Sequence, residues 1–276
     1  MTSTKRTNRK TLVTALIAGA LLSLPQISLA GASGAAVSGA GAKAFAGDDN
    51  GAMSEAQSKL NKSQFKNVKV SVQDGVATMT GTVDLYEYKV DADKRIHKAK
   101  GVTAVRNDIQ VAGPSVPDQE LKDKLVEKLQ YDQVGYGNEF NAINIDVQNG
   151  VAILAGHALN YPARDSALGL VSTYPGVKDV VDNIQVDPVS FMDDRIRVQV
   201  ARAVYGFPAL NQYAVDPAKP IRITVMNGHV ELDGIVLNQG DKEMAFIRAN
   251  GVPGVFSVKN NLQVANQPSE TKAANQ

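Results

Sequence analysis

The sequence predicts an α+β fold of three tandem modules. Each is an α-β-β-α-β two-layer sandwich, a three-stranded sheet with two helices on one face. Two observations predict it. The first is a glycine lattice that occurs three times. Gly75, Gly81 and Gly101 are separated by 6 and 20 residues, and Gly150, Gly156, Gly176 and then Gly228, Gly234, Gly254 repeat both spacings. The second is the text around the glycines: DGVATMTGTV, NGVAILAGHA and NGHVELDGIV, closing on NDIQV, DNIQV and NNLQV, at offsets of 75 and 78 residues. Within each copy the apolar period switches between the helical spacing and strict alternation.

The first 30 residues have the build of a Sec-type signal peptide. Lys5, Arg6, Arg9 and Lys10 form a basic start, residues 12–24 an apolar core, and Ser28-Leu29-Ala30 a small-residue cleavage pattern that makes Gly31 the expected mature start. The apolar run is short for a membrane span of about 20 residues, and no later segment approaches that length, so no spanning segment is expected after cleavage. Residues 31–52, rich in Gly, Ala and Ser, read as a flexible leader. The modules are then expected at 53–113, 118–188 and 192–264, joined by the short proline-containing connectors GPSVPD and DPVSF. Residues 265–276 read as a disordered tail.

The second module shows the pattern most clearly. Asp118 suits the start of a helix in which Leu121, Leu125 and Leu129 recur every four residues. Ile143, Ile145 and Val147 alternate with polar residues, Asn149-Gly150 follows, and Val151, Ile153 and Ala155 resume the alternation. Asn-Gly between two alternating runs is a hairpin signal, because both turn residues tolerate positive φ. Asp74-Gly75 and Asn227-Gly228 hold the same place in the other copies. A second helix is expected over 162–173, with Pro162 in its first turn, and a last strand runs through Val177, Val180, Val181, Ile184 and Val186. In the first copy the opening helix is expected only over 54–61, short and polar, with Ala56 and Leu60 placed for burial. The nine glycines are given structural roles: a hairpin turn, a bulge or close backbone approach, and a left-handed cap on the second helix.

Composition narrows the function. There is no cysteine, which excludes disulfides, thiol catalysis and cysteine metal sites. The formal charge is +1, but the mature chain carries 25 Lys+Arg against 28 Asp+Glu, a net of −3. The three modules carry +3, −6 and +1 in turn. No basic footprint dominates, so nucleic acid is not an expected partner. The differing charges imply that the copies do not share one partner.

The pattern [DN]-G-x-[VA]-x-[LM]-x-G, then a Gly-Val 20 residues on, then N-x-[IL]-x-V, resembles the BON domain, in three tandem copies. The resemblance implies an exported bacterial protein of the periplasm or envelope, with a role in envelope integrity or osmotic-stress protection. In some members it implies binding of anionic phospholipid.

No catalytic constellation appears: GxSxG, GxxxxGK[ST] and HExxH are absent. His97, His157 and His229 fall at different module positions and form no repeated metal site. No cofactor is implied. The strongest binding candidate opens the third module. In MDDRIRVQVARAVYGFPALNQY, Ile196, Val200, Ala203 and Val204 share one helical face, Arg195 and Arg202 share another, and Arg197 flanks the apolar stripe. Tyr205, Phe207 and Tyr213 follow in a loop. Guanidinium groups suit phosphate, and aromatic rings suit an apolar boundary, so Arg195, Arg197, Arg202, Tyr205 and Phe207 are the candidate lipid- or partner-binding residues. The matching stretch of module 2 has Tyr131, Tyr136 and Phe140 but also Glu120, Asp123 and Glu127, which would repel an anionic surface. A second candidate is the basic helix of module 1 with Lys89, Lys94, Arg95, Lys98 and Lys100. The expectation is a non-enzymatic envelope protein that binds anionic phospholipid or envelope proteins. The alternative is a protein-interaction scaffold or chaperone-like factor whose edge strands pair with partners.

Overall fold

A computed structural model of the chain describes residues 48–132, 137–216 and 220–265. The expected signal peptide, most of the expected leader, Tyr136 and the expected tail from 266 lie outside the described residues. Module 1 comprises α1 (Asp49–Lys59), β1 (Val68–Gln73), β2 (Val76–Val83), α2 (Tyr86–Ile96) and β3 (Ala104–Val111). Module 2 comprises α3 (Asp118–Asp132), β4 (Ala142–Gln148), β5 (Val151–Ala158), α4 (Tyr161–Ser172) and β6 (Asp179–Val186). Module 3 comprises α5 (Phe191–Tyr205), α6 (Gln212–Val215), β7 (Arg222–Met226), β8 (His229–Asp233), β9 (Ile235–Val236), α7 (Gln239–Asn250), β10 (Ser257–Asn260) and β11 (Gln263–Val264).

The architecture is the α+β arrangement that the sequence predicts. Each sheet has its second strand in the middle, antiparallel to the first through the hairpin and parallel to the third through the crossover helix. Asp74, Asn149 and Asn227 all have positive φ, as do the glycines that follow them, so the three hairpins share one tight turn. In module 3 the long strands are interrupted: Gly234 separates β8 from β9, and β11 pairs with β9 in a two-stranded continuation.

One acid organises every module. The backbone N–H groups of Asp74 and Gly75 donate to Asp49 at 2.9 and 3.1 Å. Asn149 and Gly150 donate to Asp118 at 2.7 and 2.8 Å, and Asn227 and Gly228 to Asp193 at 2.9 and 2.8 Å. A carboxylate in the first turn of the first helix thus clamps the tip of the hairpin. Asp118 is the first residue of its helix, and its carboxylate serves the hairpin rather than capping the helix. In module 1 the clamp moves the helix start to Asp49, earlier than the expected 54, and Asp48 caps it through Gly51. Residues 49–52 therefore belong to the module and not to the leader.

The glycines divide as expected, with one correction. At Gly81 and Gly156 a Cβ would lie 2.0 Å from the carbonyl oxygens of Asn67 and Ala142, so these positions mark a close backbone approach, with the pairing register intact. Gly101, Gly176 and Gly254 do not cap the second helices, which end at Ile96, Ser172 and Asn250. They lie in the turn beyond and abut the first helix or its approach: a Cβ there would meet Ala52, Val116 or Ile196.

Each module has its own apolar core, and single residues bridge adjacent cores. Tyr86 of module 1 packs against the module 2 core. Burial, and then the charge of Asp179 beside it, pushes its hydroxyl pKa up to about 12. Phe140 of module 2 packs against the module 3 core, and Arg222 of module 3 donates to the Ile143 carbonyl at 3.2 Å.

Candidate functional site

The clamp at Asp193 fixes how α5 sits, and so decides which of its residues face out. Ser190 caps the helix by accepting from the Asp193 N–H. Ile196, Val200 and Val204 are buried in the core. Burial raises the Asp193 carboxyl pKa, but the amides of Gly228 and Asn227, Ser190 and the charge of Arg197 outweigh it, and the pKa falls below its ordinary value.

The structure corrects part of the expected site. Arg197 is not on the surface: its side chain is 3% exposed. It donates to Asp187 at 3.3 Å, to the Val225 carbonyl at 3.1 Å and to Asp194. Asp187 also contacts His157 of β5 at 3.3 Å. Burial pushes the Asp187 carboxyl pKa up, against the pull of Arg197 and His157. Arg197 therefore ties α5 to the connector between modules 2 and 3, and no headgroup reaches it. Tyr205 is half-buried and donates its hydroxyl to the Ile221 carbonyl. Burial and the charge of Glu139 raise its pKa. Tyr213 is buried, donates to Asp241 at 2.6 Å and accepts from the Leu237 N–H at 2.8 Å. Phe207 packs against the core, with the Arg248 guanidinium 4.4 Å from its ring centre.

Arg195 and Arg202 are exposed, and neither has an ion pair among the described residues. They stand in a stripe that the sequence reading missed. Phe191, Arg195, Val198 and Arg202 follow the i, i+4, i+7, i+11 spacing of one helical face. Phe191 is 76% exposed, and Met192 and Val198 are exposed as well. Beside the stripe, α5 and α7 enclose a shallow groove of about 580 Å³ whose walls include Ala203, Phe207, Met244, Ile247 and Arg248. Phe256, 79% exposed, covers Gly228, the glycine whose amide Asp193 holds. Its ring therefore lies at the same end of the module as the first turn of α5. The result is a cationic and apolar face.

The clamp acids provide a register for comparing the three first helices. Counted from Asp193, Asp118 and Asp49, the positions of Arg195, Val198 and Arg202 are Glu120, Asp123 and Glu127 in α3 and Gly51, Ser54 and Ser58 in α1. All nine are exposed. One surface is thus basic and apolar, one acidic and one uncharged, on the same scaffold. The position of Phe256 is Lys178 in module 2 and Thr103 in module 1, each lying against its hairpin glycine. This register is present in the sequence, and aligning the first helices on their acids would have found the stripe.

The other candidates resolve simply. In α2, Arg95 pairs with Asp91 at 2.8 Å, while Lys94 and Lys98 are exposed. His97 contacts Asp93, and His229 contacts Ser257. Among the described residues no group of His, Asp or Glu is placed to hold a metal ion, and no helix is long and apolar enough to cross a membrane.

Three such modules in sequence define a tandem repeat of small α+β sandwiches. A family model described as the BON domain matches residues 48–113, 117–188 and 208–266. The chain therefore belongs to the BON domain family, whose domains are generally non-catalytic. The third match begins after α5, although the Asp193 clamp makes α5 part of that module. The comparison with curated proteins found no match. Among solved structures, the C-terminal domain of CdsD, the structural protein of the Type III secretion system of Chlamydia trachomatis, is similar at 14% identity. That match covers 77% of this chain and 96% of that one, with a TM-score of 0.22. A second structure of CdsD from the same organism is similar at 16% identity, covering 77% and 91%, with a TM-score of 0.20.

Proposed function

We propose that the protein is a non-enzymatic, exported envelope protein of the periplasm, which serves envelope integrity under osmotic stress by binding anionic phospholipid surfaces through module 3. The observation that supports this reading is the α5 stripe. Two arginines without acidic partners alternate with Phe191, Met192 and Val198 on one exposed face, and the matching face of module 2 is acidic. Arginine attracts lipid phosphate by charge-assisted hydrogen bonds. Each cation near an anionic surface contributes about 1 kcal/mol, so Arg195, Arg202 and Arg248 together give weak, reversible attachment. Phe191, Met192 and Phe256 add shallow apolar insertion. The matching face of the first helix is uncharged in module 1 and acidic in module 2.

The test is co-sedimentation of the full chain with vesicles of phosphatidylglycerol and phosphatidylcholine, against phosphatidylcholine alone, at rising salt. Attachment should require the anionic lipid and weaken as salt screens exposed charges over about 8 Å at physiological ionic strength. Equal sedimentation with neutral vesicles, or none with either, refutes the reading.

A further inference from the structure

The free edges of the three first strands have different fates. In a two-residue hairpin the strand positions alternate between those that bond the partner strand and those whose N–H and C=O point away from it. In β1 the outward set is Val68, Val70 and Val72, a parity confirmed where the Thr82 N–H donates to the Asn67 carbonyl. Seven residues before each hairpin glycine stands an equivalent outward carbonyl: Val68, Ile143 and Ile221. Ile221 accepts the Tyr205 hydroxyl, and further along the same edge Val225 accepts Arg197. Ile143 accepts Arg222 from module 3. The Val68 carbonyl has no hydrogen-bond partner among the described residues, and the outward groups of Val70 and Val72, like those of Ile145 and Val147 in β4, have none either.

The same contrast holds for the space beside the edge. In module 2 the groove between the end of α3 and β4 is bounded on its far side by Pro220, Arg222 and Ile235 of module 3. In module 1 the matching groove, between the end of α1 and β1, has a volume of about 900 Å³ and is lined by module 1 residues alone. Lys62, Lys66 and Lys69 line it, all exposed and none in an ion pair among the described residues. No acid lines this groove among the described residues, and Glu55 and Asp91 are paired with Lys59 and Arg95.

We propose that the β1 edge of module 1 is a strand-addition site for an extended acidic segment of a partner protein. Main-chain hydrogen bonds to Val68, Val70 and Val72 supply the pairing, and the three lysines select for carboxylates. A second copy of β1 is disfavoured as occupant, because its own Lys69 would bring like charge to the edge. This site is independent of the lipid-facing stripe, so either assignment can fail alone.

The experiment is an amide-resonance titration of the full chain with an eight-residue peptide of alternating Glu and Val. Two further peptides serve as controls: a Lys-Val counterpart, and a Glu-Val peptide N-methylated at alternate backbone nitrogens. The Glu-Val peptide should shift the amides of Val68, Val70 and Val72, and the N-methylated one should not. The triple variant Lys62→Glu/Lys66→Glu/Lys69→Glu should weaken Glu-Val binding about tenfold or more, the effect of several exposed ion pairs together, and should admit the Lys-Val peptide. The single variant Lys69→Gln, with a smaller loss expected, guards against misfolding of the triple variant. No binding at millimolar peptide, shifts confined to other modules, or equal binding of the N-methylated peptide overturns the proposal. So does a response of the same amides to anionic vesicles but not to the peptide.

Discussion

The helices α3 and α5 are both 15 residues long, both place an acid on the hairpin and both bury one apolar face. They differ in what they show to solvent. Where α5 exposes Arg195, Val198 and Arg202, α3 exposes Glu120, Asp123 and Glu127. The fold tolerates either set because those positions touch neither the core nor the clamp. The difference also appears within α5 itself. Arg195 and Arg197 are two residues apart, yet one is exposed and unpaired while the other is buried against Asp187 and Asp194. The residue type announces a charge, and the helical phase decides whether that charge serves the interior or the surface.

The sharpest way to break this comparison is at Arg197. Arg197→Met leaves the Asp187 carboxylate buried without its guanidinium, which should cost about 3–5 kcal/mol in urea unfolding. Asp187→Asn in the same chain should recover part of that loss, as a double-mutant cycle would show. If Arg197→Met proves neutral, the buried pair is not what holds α5 to the connector.

The clamp comes next. Asp193→Asn should destabilise module 3 by about 1–3 kcal/mol, the cost of weakening hydrogen bonds to a buried charge. The sign with pH follows from the depressed carboxyl of Asp193. The folded state holds this proton less tightly than the unfolded state. Its stabilisation is therefore fully present above the unfolded value of about 3.9 and is lost as pH falls through the lower folded value. Acid unfolding of the Asn variant should lack that contribution, and a stability–pH curve with an unchanged acid limb would contradict it.

Arg195→Glu/Arg202→Glu should leave stability within about 0.5 kcal/mol, as for exposed positions generally. The same change should lower affinity for phosphatidylglycerol vesicles about tenfold to a hundredfold, at about 1 kcal/mol for each cation removed. The smallest effect is expected from the reverse exchange. Glu120→Arg/Asp123→Val/Glu127→Arg should give module 2 a weak vesicle attachment of a few-fold over the parent, since it lacks counterparts of Phe191 and Phe256. Sedimentation of the exchange variant checks whether the stripe alone is sufficient.

The sequence displays most of the fold, because the repeat prints the hairpin, the close approach and the helix spacing three times over. It hides what depends on distant pairing. Asp193 looks like an acid at a helix start, and only the folded hairpin shows that it bonds Asn227 and Gly228. Arg197 looks like a flanking cation, because the partner that buries it, Asp187, sits in a connector with no periodicity of its own. Phe191 and Met192 precede the predicted helical stripe, and Phe256 lies more than sixty residues away. Their convergence follows from the clamp rather than from spacing. Gly101, Gly176 and Gly254 were legible as positions needing positive φ, but their contact with the first helix was not.

The clamp has a further consequence for how the three copies have diverged. Its two pins lie 25, 31 and 34 residues apart in modules 1, 2 and 3, measured from Asp49 to Asp74, Asp118 to Asn149 and Asp193 to Asn227. Loop-closure entropy grows only with the logarithm of length, so stretching the span from the shortest to the longest costs about 0.3 kcal/mol. Insertions between the pins are thus nearly free for the fold. They include four residues that lengthen the first helix, from 11 in α1 to 15 in α3, and a longer stretch between α5 and β7 in module 3. A module built this way can change what it recognises by lengthening one segment, while its hairpin, crossover and core keep the same geometry.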